Sequence, residues 1–202
     1  MNMISIRSVA LRVRLFRTIL LSGLVVLSGC SFFGPPDNPD NICDIFDQKW
    51  GWQRDAKNAE RRWGASIPIM MAIMYQESSF VDDAKPPRVR FLGLPMPWRQ
   101  SSAYGYSQVK DETWRWYEQS TGRNGDRDDF DDAIDFIGWY NKKSGELSGI
   151  SQSDAYSLYL AYHEGHGGFN SGTYRSKDWL TAVASRVQAR ASRYAGQYQY
   201  CD

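Results

Sequence analysis

Apolar and polar positions follow a helical period along most of the chain. From Asp44 to Trp63 the residues Phe46, Trp50, Ala56, Ala59 and Trp63 recur on one side among charges, the spacing of an amphipathic helix that Gly64 ends. Pro68 opens a second helix at a position where its missing N–H costs nothing. Ile69-Met70-Met71-Ala72-Ile73-Met74-Tyr75 is apolar on every side, which predicts a helix inside the domain. Further helices are expected around 111–119, 130–143, 153–162 and 178–194, with glycines at 122, 125, 145, 149, 165, 167, 168 and 172 marking the joins. Residues 84–99 hold four prolines and cannot be helical, so they predict a long irregular excursion, with a trace of period-two alternation near Arg88–Phe91. The fold class expected is mainly α: a single domain with an irregular proline-rich insertion.

The 202 residues (23.2 kDa) suit one domain, and 42% hydrophobic with 23% charged residues is an ordinary globular composition. The net charge of +1 argues against a nucleic-acid binder held by bulk electrostatics. That net value hides an asymmetry. Residues 1–29 carry Arg7, Arg12, Arg14 and Arg17 and no acid, leaving 20 cations against 23 anions in the remainder. The basic stretch runs into the apolar segment 19–27, too short to span a bilayer comfortably and shaped like a secretory signal. Leu27-Ser28-Gly29-Cys30 resembles the bacterial lipobox, which implies cleavage before Cys30 and lipidation of its thiol. Ser31, where an inner-membrane retention signal would place Asp, resembles enterobacterial outer-membrane lipoproteins. The expected layout is a signal at 1–29, a lipidated tether at 30–42 and a folded domain at 43–202, anchored to the outer membrane and facing the periplasm.

With Cys30 acylated, Cys43 and Cys201 remain near the two ends of the mature chain, and a disulfide between them is favoured in an oxidising compartment. His163 and His166 are the only histidines, three apart beside several glycines. A zinc helix needs two histidines four apart, so neither metal nor cofactor is expected.

Glu77 is the first candidate for chemistry. It lies at the C-terminal end of the apolar helix, where burial and unpaired carbonyls both disfavour its charged form. A carboxylic acid protonated near neutral pH can protonate a glycosidic oxygen. Three stretches follow in order: Glu77-Ser78-Ser79-Phe80, Ala103-Tyr104-Gly105-Tyr106-Ser107-Gln108-Val109 and Ala161-Tyr162-His163-Glu164-Gly165. Together they resemble the lytic transglycosylases of the soluble-enzyme (SLT) type, whose pattern is Glu-Ser, Gly-Leu-Met-Gln and Ala-Tyr-Asn-x-Gly. The resemblance covers roughly residues 65–195. Tyr106-Ser107 replace Leu-Met, and His163 replaces Asn.

The resemblance implies a lysozyme-like fold and peptidoglycan glycan strands as substrate, and nothing in the chain points to a protein partner. It makes Glu77 the catalytic acid and then base for cleavage between N-acetylmuramic acid and N-acetylglucosamine, leaving a 1,6-anhydro end. Gln108 would line the groove, Tyr162 would place a hydroxyl near the acid, and Ser78 would bond the sugar or steady the acid. Tyr106, Glu164 and a late groove tyrosine, Tyr194, complete the expected substrate contacts. Trp98, Trp114, Tyr174 and Trp179 are candidates for sugar stacking. Lys85, Arg88 and Arg90 either meet acidic stem peptides or form a solvated loop. Two alternatives stay open: a hydrolytic muramidase in which Asp82, Asp83 or Glu164 positions a water, and a non-catalytic murein-binding lipoprotein.

Overall fold

The computed structural model describes residues 34–201; Cys30, the signal expected before it and the first residues of the expected tether lie outside them. Seven α-helices and one hairpin follow in order: α1 (Ile42–Gln48), α2 (Trp52–Trp63), α3 (Ile67–Ser78), β1 (Arg88–Phe91), β2 (Leu94–Arg99), α4 (Asp111–Thr121), α5 (Phe130–Ser148), α6 (Ala155–Ser171) and α7 (Asp178–Tyr198), with a 3-10 turn at Thr173–Ser176. The domain is mainly α.

α3 is the axis of the core. Ile67 through Met74 are all buried, as an all-round apolar helix must be, and α3 packs between α5 and α7. α2 lies along α5, and α6 packs on both α5 and α7. Burying each large side chain of α3 contributes about 1.5–3 kcal/mol. The packed helices enclose the Asp135 carboxylate: Asp135 on α5 accepts from Arg62 Nη1 on α2 and from the Tyr117 hydroxyl on α4, each at 2.7 Å. A buried charge without such donors would cost several kcal/mol.

The single helix predicted from Asp44 to Trp63 is two. Gly51 takes φ 91°, a left-handed conformation that ends the helical run, so Trp50 falls in the break and is exposed. Trp52 takes the buried place instead and stacks on Phe130, ring centroids 3.9 Å apart. The tether expected over 30–42 is docked in its second half. Asp37 N–H donates to Gln48 Oε1 at 2.8 Å, and Lys49 Nζ donates to the Gly34 carbonyl. The Pro39 carbonyl accepts from Arg190 Nη1 at 2.9 Å, while Asp40 pairs with the same arginine. Cys43 and Cys201 are joined by a disulfide, Cα atoms 5.1 Å apart. Among the described residues the buried core runs from Ile42 to Tyr194, inside the compact unit 34–202.

The insertion at 84–99 is not irregular. It is an antiparallel hairpin with register Arg88↔Arg99, Arg90↔Pro95 and Phe91↔Leu94 and an irregularity between Arg88 and Arg90. Its prolines are tolerated because two-stranded pairing leaves each strand an open edge. α6 also outruns its expected end. The glycine cluster kinks it at Gly165 (φ 73°, ψ 160°) without stopping it.

Candidate active site

Glu77 occupies the last turn of α3. Beyond it Ser79 and Phe80 take consecutive left-handed conformations (φ 53° and 62°), turning the chain sharply away. For side chains bearing a Cβ this costs roughly 1–2 kcal/mol per residue. Phe80, buried against Trp52 and Tyr75, offsets it.

The turn leaves Glu77 lining a cleft of about 500 Å³ with Gln108, Phe136, Tyr140, Tyr162 and Glu164. Burial raises the Glu77 pKa from 4.5 to about 7, although a hydrogen bond from the Tyr159 hydroxyl pulls the other way. Tyr159 is buried on α6, three residues before Tyr162, so both tyrosines present the same helical face toward the end of α3. The sequence reading missed Tyr159. Its signal was that i, i+3 spacing, which acquires meaning only once α6 is known to face Glu77.

Tyr162 donates its hydroxyl to the Ser107 carbonyl at 2.7 Å, and burial pushes its pKa well up. It is therefore a neutral donor tying α6 to the 104–109 loop. That loop is closed by the Tyr104↔Val109 bridge and by Gln108, whose Nε2 donates to the carbonyls of Ala84 and Gly105, each at 2.8 Å. With both amide protons committed, the group Gln108 offers the cleft is its carbonyl oxygen. Gly105 sits at φ 73° and its N–H donates to the Ala84 carbonyl at 3.0 Å. A Cβ there would collide with the Arg127 carbonyl, so only glycine fits.

Two further carboxylates line the cleft: Glu112 is exposed on the first turn of α4, and Glu164 has surroundings that oppose those of Glu77. Burial acts to raise its pKa. Hydrogen bonds from Lys177 Nζ (2.7 and 2.8 Å), Thr173 and His163 Nδ1 (3.0 Å) outweigh it and bring the value down to about 2. Glu77 is thus poised to hold a proton and Glu164 is permanently ionised. Lys177 and Thr173 come from the segment after α6, and the sequence reading named neither. The two histidines part company, since His163 bonds Glu164 while His166 Nε2 meets Ser144 Oγ at 3.0 Å and its ring stacks on Tyr140.

Several expected contacts lie elsewhere. Ser78 is buried with its hydroxyl donated to the Met74 carbonyl at 3.2 Å, so it serves the helix and does not line the cleft. Tyr106 is 8% exposed and packs edge-on against Trp52 and Phe130, an aromatic of the core. Tyr194 is fully buried. Its hydroxyl donates to the Pro39 carbonyl and accepts from Arg190, so it pins the N-terminal segment to α7 rather than lining the groove. Asp82 and Asp83 are exposed outside the cleft. Trp114 is core, Tyr174 stacks on Phe169, Trp98 is exposed and absent from the cleft lining, and Trp179 is exposed beside the cleft, its ring edge-on to His163 with centroids 5.2 Å apart.

The model of the transglycosylase SLT domain matches residues 18–201. The chain belongs to that family. Membership makes it a peptidoglycan-cleaving enzyme of lytic transglycosylase type, and its mainly helical domain is lysozyme-like. A comparison with the curated proteins finds no match.

Proposed function

We propose that this SLT-domain protein cleaves the β-1,4 bond between N-acetylmuramic acid and N-acetylglucosamine with Glu77 as sole acid and base, leaving 1,6-anhydro ends. The observation that carries this reading is the Glu77 carboxyl at a pKa of about 7 inside the cleft, with Tyr159 and Tyr162 beside it. Near neutral pH a large fraction of Glu77 is protonated and can donate to the leaving glycosidic oxygen as that bond breaks. The ionised carboxylate, steadied by the Tyr159 hydroxyl, then takes the proton from the sugar's C6 hydroxyl as its oxygen closes on the anomeric carbon. The proton given in the first half is recovered in the second, and no water is consumed. The Gln108 carbonyl oxygen faces the substrate as an acceptor for an N–H or O–H.

A hydrolase working by paired carboxylates would need a second one free to hold water or attack. Besides Glu112, which is exposed on the first turn of α4, the cleft offers Glu164, and Lys177, Thr173 and His163 occupy both of its oxygens. That engagement favours ring closure over water attack and makes Glu164 an organiser of the cleft wall. The chain is further proposed to act from the outer membrane, facing the periplasm, through a lipid on Cys30. The lipobox-like sequence supports that anchorage.

Intact sacculi digested by the wild-type protein should yield soluble muropeptides one water lighter than the reducing-end products of a hydrolase. Glu77→Gln should keep sacculus binding and release nothing. Reducing ends would transfer the reading to a muramidase, and undiminished release by Glu77→Gln would remove Glu77 from the mechanism.

A further inference from the structure

The hairpin of β1 and β2 makes no substantial packing contact with any helix, yet it carries the densest exposed apolar surface among the described residues. Phe91 is 64%, Leu92 87%, Leu94 70% and Trp98 55% exposed. A fold alone gives no reason for this. Phe91 pairs with Leu94 across a two-residue turn in which Leu92 and Gly93 both have positive φ (50° and 82°). Such turns select Asn or Asp before glycine, because other side chains strain in that conformation. Leucine at the first position is unfavourable twice over: it pays a backbone penalty and it places an apolar side chain at the most exposed point.

The hairpin's own charges, Arg88, Arg90 and Arg99, are of one sign, while Lys85 at its base pairs with Asp83. From residue 84 to 110 the chain has Lys85, Arg88, Arg90, Arg99 and Lys110 and no acid. Among the described residues Arg88 and Arg90 have no ion-pair partner. β2 carries Pro95 and Pro97, which have no N–H to offer an added strand, so pairing of β2 with another protein's strand or with a second copy is disfavoured. An apolar tip with Trp and Phe, collared by unpaired arginines, is complementary to the interface of an anionic phospholipid bilayer. The tip would enter the acyl boundary while the guanidinium groups meet headgroup phosphates.

We propose that the 88–99 hairpin is a membrane-docking element that dips Phe91, Leu92, Leu94 and Trp98 into an anionic leaflet. This contact goes beyond the catalytic reading and is separate from the lipid on Cys30. It would hold the domain at the membrane through a second point.

The test uses residues 34–202, the compact unit that holds the core of the described residues and leaves out Cys30. Cosedimentation is measured with vesicles of equal parts phosphatidylglycerol and phosphatidylcholine and with pure phosphatidylcholine. Binding is expected to the anionic vesicles and to weaken as salt is raised. Leu92→Asn, which suits the turn better and keeps the fold by circular dichroism, should lower binding about tenfold by removing the deepest apolar group. Arg88→Gln and Arg90→Gln should each lower it about fivefold. Muropeptide release in solution should be unchanged in all three variants, because none of these residues lines the cleft. Absence of vesicle binding overturns the proposal, as does equal binding to neutral vesicles or binding indifferent to Leu92→Asn. Arginine-dependent capture of soluble acidic stem peptides without vesicle binding overturns it in favour of a substrate contact. Glu77→Gln leaves this experiment untouched, so the catalytic and docking readings fail separately.

Discussion

Replacing Glu77 by Gln should stabilise the folded protein at alkaline pH while abolishing its chemistry. The carboxyl's pKa in the fold is about 7 against an ordinary 4.5, and burial is the main cause. The folded chain therefore keeps a proton that the unfolded chain has lost between those values. The stability tied to this group is fully present below 4.5 and is lost as pH rises through about 7. At ~1.4 kcal/mol per decade the difference is about 3 kcal/mol once both states are ionised. Gln has the same shape and no charge to desolvate, so it escapes that loss. At pH 4 and below wild type and Glu77→Gln should melt together. At pH 8 the variant should melt about 6–12 °C higher, taking ~2–4 °C per kcal/mol for a domain of this size. Other titrating groups cancel in the difference between the two proteins. Thermal melts by circular dichroism from pH 3.5 to 8.5 read it directly. A difference that does not change with pH would mean the carboxyl is solvated, and with it the neutral-pH proton donor would disappear.

Removing the Tyr159 hydroxyl takes away a donor to ionised Glu77, an interaction of about 1.5–3 kcal/mol. Tyr159→Phe should therefore move the alkaline limb of the pH–rate profile for muropeptide release upward by about one pH unit or more, with little change below pH 6. An unmoved limb would show that the two groups do not interact. Gly105→Ala forces a Cβ onto the Arg127 carbonyl at positive φ and should cost roughly 3 kcal/mol or more, read as a lower denaturant midpoint together with weakened release. Loss of the bridge in Cys43→Ser with Cys201→Ser should lower stability by about 2–5 kcal/mol, while reduced and oxidised wild type should bracket the same interval.

Much of this molecule was legible in its amino-acid order, because the signals involved are local. A run apolar on every side can only be buried, and the α3 segment is buried from Ile67 to Met74. An acid at the end of such a run must meet the low dielectric, and Glu77 does. Local rules also misled where a neighbour decided the outcome. Trp50 and Trp52 are both plausible core residues by pattern, and a left-handed Gly51 selected the second. The prolines of 84–99 do forbid a helix, but antiparallel pairing between Arg88–Phe91 and Leu94–Arg99 gave the segment regular structure that proline content alone obscures.

The division follows from the range of the forces. Periodicity, caps and breakers act over a few residues, so composition and spacing determined the helices, the buried axis and the acid that terminates it. Which hydroxyl meets that acid is a question of packing between segments some 80 residues apart, and only the tertiary structure brought Tyr159 to Glu77. The same holds for the contrast between Glu77 and Glu164 in the cleft. Both are glutamates, and it is enclosure without a cation for one, and Lys177 with Thr173 and His163 for the other, that separates a proton donor from a fixed charge. Tyr194 and Tyr106 lost their expected roles for the same reason: an aromatic side chain serves core or groove according to what packs on it, and that is settled in three dimensions.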